Sequence, residues 1–233
     1  MIKLSDLILE QTGQPKAVIM AGGAGAGKTY LLNQLQLGSL TLFNPDKYVE
    51  DPDHPYHNKL GPASQQVAKD VAAAAEDKTS FVWDTTASGV QFRKGLDNLL
   101  SKGYKVYMVM VYTHPMVSYI SNFSRIKRAV PSSAVFSTWR NAYQKMAEYD
   151  KLTGGNFSLF VNDHGGKFKK EIEGFNTAAK NGTNGVKDYL KAYNKRTGVG
   201  KSSFFQPVNM SQAEEQEFQK ATAGLDYDKK NRS

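Results

Sequence analysis

The chain has 233 residues, 40% of them hydrophobic, and no cysteine; it can bury one substantial core but cannot form disulfides or thiolate metal sites. Lysine and arginine outnumber aspartate and glutamate by 30 to 22, and this favours anionic partners such as nucleotides or nucleic acid, although a solvated surface would explain the same excess. No apolar run reaches the roughly 18 to 20 residues of a membrane span. The N-terminus lacks the apolar core of a secretion signal, so we expect a cytoplasmic protein without membrane association.

Short β-forming runs alternate with helical patterns over the first two thirds of the chain. Helical periodicity predicts helices over 64–77 and 132–149, and we interpret the aromatic residues of the second as core packing rather than as a platform for stacking bases. The alternation predicts an α/β fold with a five-stranded parallel sheet flanked by helices, with ligands bound at the carboxyl ends of the strands. The predicted strands are 17–21, 40–43, 80–84, 105–112 and 157–161.

Composition divides the chain into three parts. An N-terminal segment covers 1–15, and the α/β core covers 16–164. After about residue 165 the composition changes to Gly, Asn, Lys and Thr, which predicts a basic C-terminal extension over 165–233, partly helical or flexible.

A phosphate-binding loop directly follows the first predicted strand. Residues 22–29 fit the pattern G-x-x-x-x-G-K-[ST], the Walker A motif, in which glycine lets main-chain N–H groups converge on phosphates. In this pattern Lys28 reaches the β- and γ-phosphates and Thr29 binds Mg²⁺, so the sequence predicts a nucleoside triphosphate site. The predicted nucleotide-binding residues are Gly22, Gly23, Ala24, Gly25, Ala26, Gly27, Lys28 and Thr29.

Polar residues that follow the second and third strands are candidates for phosphoryl-transfer chemistry. Asp46 is the candidate general base, although 44–46 would also suit an ordinary turn. Asp84 ends an apolar strand, the arrangement that holds Mg²⁺, with a capping or turn role as the alternative. Arg93 would bind an anionic acceptor or, alternatively, lie on a solvated helix face.

Three cations are concentrated in the segment 122–131. Arg125 and Arg128 suit a segment that closes on a triphosphate and neutralises charge in the transition state, because the guanidinium fork binds phosphate oxygens in pairs. A basic surface loop is the alternative interpretation.

Taken in order, the P-loop, the segment 44–46, the strand end 83–86 and the segment 125–131 resemble P-loop kinases of the group that includes polynucleotide 5′-kinases and zeta-toxin-like kinases. The resemblance covers roughly 16–163. It implies a P-loop kinase core that uses ATP and Mg²⁺, with Asp46 as the base that activates an acceptor hydroxyl.

The resemblance also implies roles for residues farther along the chain. Asp84 and Thr85 would contribute to the active site, and Arg125 and Arg128 would grip the ATP phosphates. Asn162 would lie near the adenine base, as part of the nucleotide site.

The two halves of the resemblance favour different acceptors. The strand end at Asp84 and the arginine segment look more like polynucleotide kinases, so a nucleic-acid 5′-hydroxyl is the first expectation. Polynucleotide kinases place an arginine three residues after the base, where this chain has Val49. Asn-Pro-Asp is closer to zeta-toxin-like kinases, whose acceptors include UDP-N-acetylglucosamine, so a sugar nucleotide or small metabolite is the alternative.

Two other functions use the same nucleotide site. One is a plain NTPase, and the other is a non-catalytic nucleotide-binding module whose C-terminal extension docks on a protein partner.

Overall fold

A computed structural model describes residues 13–35, 37–49, 56–113, 115–123, 130–162 and 168–173, together with 211–213, 216, 219 and 220. The elements in chain order are β1 Lys16–Ala21, α1 Lys28–Gln34, β2 Thr41–Phe43, a 3₁₀ helix Pro45–Tyr48, α2 Tyr56–Glu76, β3 Phe81–Asp84, α3 Val90–Ser101, β4 Lys105–Tyr112, α4 Pro115–Phe123, α5 Ser132–Gln144, α6 Met146–Leu152, β5 Phe157–Asn162 and β6 Phe168–Glu173.

One sheet with strand order β2-β3-β1-β4-β5-β6 forms the centre of the fold. Strands β1 to β5 are all parallel, which confirms the predicted five-stranded parallel sheet with flanking helices. Strand β6 pairs antiparallel with β5 and adds a sixth strand that the sequence analysis did not predict. Because the five parallel strands run the same way, their carboxyl ends meet at one edge of the sheet.

The sheet is covered on both faces by hydrophobic side chains. Every residue of β1 is buried, as expected for a central parallel strand packed on both sides. One face carries Ile19 and Trp83 into the larger core cluster, and the other carries Val18 and Met20 into a cluster with Leu31 of α1. The core therefore holds β1, and the loop that follows it, in a fixed position.

The aromatic residues of α5 are part of this core. Phe136 is fully buried, and Trp139 and Tyr143 are 1% and 4% exposed. The prediction of core packing over a base-stacking platform is therefore confirmed.

Two predicted helix boundaries differ from the structure. The helix predicted over 64–77 begins earlier, at Tyr56, and contains Pro62 in its interior. The helix predicted over 132–149 is two helices that meet at Lys145, whose φ of −100° and ψ of 4° are not helical. Within the described part of the chain, no helix has the length and apolar character needed to cross a membrane.

Asp150 of α6 is a buried carboxylate. It is 1% exposed, and its Oδ1 atom has no hydrogen-bond partner among the described residues. Burial raises the pKa of the Asp150 carboxyl because the charged form loses its hydration. The ionised carboxylate therefore destabilises the folded state.

Asp150→Asn is expected to raise the melting temperature by about 2–4 °C at about pH 7, because the neutral amide avoids burial of a charge. In the parent protein the ionised Asp150 carboxylate destabilises the fold at pH values above its raised pKa, and this destabilisation disappears as the pH falls towards the ordinary aspartate pKa. The rise in melting temperature caused by Asp150→Asn should therefore be close to zero at about pH 4. Thermal denaturation at both pH values, with the exposed Asp77→Asn as control, measures the difference. An equal gain at both values would rule out charge burial as its cause.

Candidate active site

The glycine-rich loop between β1 and α1 packs directly on neighbouring main chain. Gly22 has a φ of 144°, and a Cβ atom there would lie 2.6 Å from the carbonyl oxygen of Val111. Gly25 has a φ of 78°, and a Cβ atom there would lie 2.5 Å from the carbonyl oxygen of Ser118. Glycine is required at both positions by backbone conformation and by close approach.

Asn162, at the end of β5, holds the same loop. Its Nδ2 donates a hydrogen bond to the carbonyl oxygen of Ala26 at 3.0 Å, and its main-chain oxygen accepts one from the Thr113 hydroxyl at 3.3 Å. The sequence prediction placed Asn162 near an adenine base, and that role stays a prediction. The contact found here is with the loop, and Asn162 does not line the cavity described below.

Lys28 begins α1 and points back across the loop. Its Nζ donates hydrogen bonds to the carbonyl oxygens of Gly22 and Gly23, at 3.1 and 3.4 Å. The same atom lies 3.9 Å from Oδ1 of Asp84, and the two side chains are only 14% and 8% exposed. The P-loop cation and the carboxylate at the end of β3 therefore form a partly buried ion pair.

Asn44 joins the ends of β2 and β3. Its Nδ2 donates a hydrogen bond to Oδ2 of Asp84 at 3.3 Å, and its Oδ1 accepts one from the main-chain N–H of Asp46 at 2.8 Å. The second bond caps the 3₁₀ helix Pro45–Tyr48, which carries Asp46 in its first turn. One amide side chain thus connects the Asp84 carboxylate to the main chain of Asp46, and no role for Asn44 was predicted from the sequence.

Asn44→Ala is expected to lower kcat by about tenfold or more with a smaller change in the KM for ATP, because Asp46 loses its helix cap and Asp84 loses a donor. Asn44→Asp keeps a cap acceptor but sets a second carboxylate against Asp84, so it should retain more stability than Asn44→Ala and still lose activity. Steady-state kinetics and thermal denaturation of both variants test this. A kcat unchanged in Asn44→Ala would show that the bridge does not orient the site.

A cavity of about 350 Å³ opens at the carboxyl edge of the sheet. The predicted site residues that line it are Ala24, Gly27, Lys28, Thr29, Asp46, Asp84 and Thr85. The other lining residues, which the sequence analysis did not assign to the site, are Asn44, Pro45, Gly61, Ser64, Thr86, Asn122, Val130, Ala134 and Thr138.

Several of these additional residues had a signal in the sequence. Asn44 and Pro45 belong to the segment singled out for Asp46, and Asn122 and Val130 belong to the basic segment 122–131. Helices α2 and α5 gave no such signal, because their contribution depends on which helix face the fold turns towards the cavity.

Other predicted site residues lie elsewhere. Four residues of the loop are buried and do not line the cavity: Gly22, Gly23, Gly25 and Ala26. Arg93 on α3 does not line the cavity; its Nε donates to Asp97 at 2.9 Å, and its guanidinium pairs with Glu148 of α6. These contacts suit the alternative interpretation of Arg93 as a helix-surface residue.

Arg125 and Arg128 lie outside the described residues. The positions on either side of their segment are connected: Nδ2 of Asn122 donates to the carbonyl oxygen of Val130 at 2.8 Å, and Oδ1 of Asn122 accepts from the N–H of Val130 at 2.9 Å. Asn122 is fully buried, and both residues line the cavity. The described residues on the two sides of 124–129 therefore contact each other at the cavity wall.

The oxygen atoms of Thr29 and Asp84 suit the Mg²⁺ that the fold implies. Both residues line the cavity beside Lys28. Mg²⁺ prefers hard oxygen ligands and takes one or two from the protein, with water and phosphate oxygens completing its shell. Among the described residues no group of three or more His, Cys, Asp or Glu side chains is arranged to bind a metal. A carboxylate and a hydroxyl fit a metal that is carried largely by a nucleotide.

Solved structures with a similar fold include the PezAT chromosomal toxin–antitoxin system of Streptococcus pneumoniae, at 16% identity and a TM-score of 0.52, with 92% of this chain and 86% of that chain covered. A native AvrRxo1-ORF1:-ORF2 complex has 14% identity and a TM-score of 0.58, with 97% and 80% covered. The AvrRxo1 complex with ATP has 14% identity and a TM-score of 0.54, with 100% and 82% covered. At these identities the similarity shows a common fold alone.

Comparison with curated protein sequences gives no match. Comparison with protein families matches residues 3–153 to the family described as Zeta toxin. The matched region spans more than half of the chain and contains the P-loop, the segment of Asn44 and Asp46, and the strand end at Asp84. This chain, with the fold and cavity described above, therefore belongs to the Zeta toxin family.

Proposed function

We propose that the protein is an ATP-dependent kinase that transfers the γ-phosphate to a hydroxyl group of a small acceptor. Family membership supports a kinase-type phosphotransferase in general. The observation that carries the finer proposal is the connection of Lys28, Asp84 and Asp46 around one cavity, through an ion pair and the Asn44 bridge. This arrangement sets a phosphate-binding cation, a metal-binding carboxylate and a candidate base side by side.

In the proposed reaction Asp46 accepts the proton of the acceptor hydroxyl. The acceptor oxygen forms a bond to the γ-phosphorus while the bond from that phosphorus to the β,γ-bridging oxygen breaks and ADP leaves. Lys28 neutralises charge on the β- and γ-phosphates, and the P-loop fixes their position. Mg²⁺ bound by Thr29 and Asp84 would supply further charge neutralisation on the phosphate oxygens.

The cavity favours the small-metabolite alternative over a polynucleotide acceptor. Among its described lining residues Lys28 is the single cation, and hydroxyl side chains such as Ser64, Thr85 and Thr86 form much of the rest. A polynucleotide would require cations along its phosphate backbone. The position three residues after Asp46 holds Val49, which is 6% exposed and carries no charge. A sugar nucleotide, or another metabolite that presents neutral hydroxyl groups, fits this lining better.

ATP is the expected phosphate donor. One structural neighbour, the AvrRxo1 complex, was solved with ATP. Its fold is shared with this chain, which has a complete Walker A motif at the corresponding type of loop.

A transfer assay with γ-labelled ATP and Mg²⁺ tests the proposal. Separate reactions contain UDP-N-acetylglucosamine, a nucleoside, a metabolite extract or an oligonucleotide with a free 5′-hydroxyl. Label in a small acceptor supports the proposal, whereas label in the oligonucleotide alone would restore the polynucleotide acceptor. Phosphate release at a rate independent of every acceptor would indicate an NTPase. Nucleotide binding without transfer or hydrolysis would indicate a non-catalytic module.

A protein partner is a second proposal. The neighbours named above come from a toxin–antitoxin system and from a two-component complex. Strand β6 belongs to the sheet, so the part of the predicted extension that follows it, 174–233, is the candidate docking region. Co-purification of the 233-residue chain and of a 1–173 truncation, which keeps β6, with the product of an adjacent reading frame would test it.

A further inference from the structure

Gly61 lies in the interior of helix α2, where glycine is unfavourable. The helix spans Tyr56–Glu76, and glycine in a helix interior costs about 1 kcal/mol relative to alanine. Two ordinary reasons for a glycine do not apply here. Gly61 is not among the glycines with positive φ, and a Cβ atom built on it would have no described atom within 4 Å. A third reason does apply, because Pro62 follows directly and the proline ring disfavours a Cβ atom on a preceding residue in helical conformation.

Gly61 does line the cavity. Ser64, three residues later on the same helix face, lines it too. A side chain at position 61 would therefore project from the face that Ser64 presents to the cavity, into space that no described residue occupies within 4 Å. Whatever the local reason for glycine, its consequence is that the cavity is wider at this point than it would be beside any other residue.

Gly61 and Ser64 form the part of the cavity wall that α2 contributes, the α2 wall. This wall belongs to the Asp46 side of the cavity. Tyr48, at the end of the 3₁₀ helix that carries Asp46, donates a hydrogen bond to Asp70 of α2, and Gln66 of α2 donates to the same carboxylate at 2.9 Å. The P-loop residues Lys28 and Thr29 lie on a different element, at the start of α1. A molecule beside Gly61 would thus meet the candidate base rather than replace the triphosphate.

We infer that Gly61 sets the size of the acceptor that the cavity admits, by leaving room for the part of the acceptor next to its reacting hydroxyl. This inference rests on the proposed kinase function. The neighbouring Ser64, Thr85 and Thr86 hydroxyls indicate that this part of the acceptor is uncharged and hydrogen-bonding. A larger residue at position 61 would exclude it.

The test compares Gly61→Ala and Gly61→Leu with Ala72→Leu, an exposed position on the same helix that does not line the cavity. The probe acceptors are glycerol, a nucleoside and UDP-N-acetylglucosamine, with the KM for each acceptor and for ATP measured separately. We expect the acceptor KM to rise about threefold or more in Gly61→Ala and about tenfold or more in Gly61→Leu, with the larger rise for the larger acceptors. The KM for ATP should change much less.

Stability separates this role from a structural one. Alanine and leucine are better helix formers than glycine, but a Cβ atom directly before Pro62 is disfavoured in a helix, so the two effects oppose each other. Both Gly61 variants should stay folded at the assay temperature. A melting temperature above it, together with an unchanged KM for ATP, excludes unfolding as the cause of a raised acceptor KM. An equal rise of the acceptor KM in Ala72→Leu would point to a general effect of helix changes and overturn the inference. So would an acceptor KM in Gly61→Leu equal to that of the parent protein.

The two proposals fail in different ways. A parent protein that phosphorylates none of the probes or the extract overturns the kinase proposal, and the inference falls with it. A parent protein that phosphorylates an acceptor, while Gly61→Leu does so with the same KM, overturns the inference alone.

Discussion

Asp46→Asn is expected to lower phosphate transfer by about a hundredfold to ten-thousandfold while ATP binding is retained. The amide has the same shape as the carboxylate but cannot accept the acceptor proton. Asp46 lines the cavity, and the main-chain bond to Asn44 that fixes its segment does not involve its side chain. Single-turnover transfer from γ-labelled ATP and calorimetric titration with ATP measure the two properties.

The matched control is Asp77→Asn, an exposed carboxylate just beyond the end of α2. It should leave transfer unchanged, because it removes the same charge away from the cavity. Transfer at the parental rate by Asp46→Asn would remove the general-base role. Lost ATP binding in that variant would instead move Asp46 from the acceptor side to the nucleotide side of the site.

Lys28→Ala is expected to weaken ATP binding by about tenfold to hundredfold, because the charge-assisted bonds of one ammonium group to phosphate are lost. Turnover should fall by about a hundredfold to a thousandfold, since the same cation stabilises charge in the transition state. The substitution also leaves Asp84, 8% exposed in its side chain, without its nearby cation. Calorimetry and steady-state kinetics give the two effects separately.

Lys28→Arg and Lys94→Ala are the controls for this prediction. Arginine retains the charge but not the compact shape that fits inside the loop, so it should recover binding in part and turnover less. Lys94 is exposed on α3 and does not line the cavity, so its removal tests the effect of net charge alone. Unchanged ATP affinity in Lys28→Ala would exclude the predicted contact with the phosphates.

The parallel sheet could be predicted from the sequence because each strand is a short apolar run that ends in polar residues. The run 17–21 is buried along its whole length, so its hydrophobicity alone marks it as a central strand. Strand β6, with the sequence FKKEIE, has four charged residues among six and lies at the sheet edge. It is a strand because of its hydrogen bonds to β5, and its sequence contains no apolar run from which a strand could be predicted.

Helix boundaries were predicted less well because tertiary packing overrides local preferences. Pro62 normally marks a helix start, yet α2 continues six residues before it. The region 132–149 keeps a helical period through Met146, but the helix is interrupted at Lys145, so α5 and α6 are separate helices. Hydrophobic periodicity indicates which residues are buried, but it cannot locate one non-helical residue within a helical region.

The candidate site could be predicted wherever one segment carries the signal. Lys28 and Thr29 follow from a contiguous motif, and Asp84 follows from its place at the end of an apolar run. The Asn44 bridge could not be predicted, because the distance from its amide to Asp84 depends on the pairing of β2 with β3. Gly61 was missed for the same reason: its significance comes from its place in the cavity lining, which depends on the tertiary fold.

The close backbone contacts of Gly22 and Gly25 divide the site into a loop that tolerates few substitutions and a remainder that tolerates more. Because carbonyl oxygens lie 2.6 and 2.5 Å from where a Cβ atom would stand, almost any replacement there disturbs neighbouring main chain. The loop proposed to bind the triphosphate is thus already assembled when the chain has folded, and ligand binding need not order it. Relatives that acquire a new acceptor would be expected to vary at positions such as Gly61, where a Cβ atom would meet no described atom within 4 Å, while the loop stays the same.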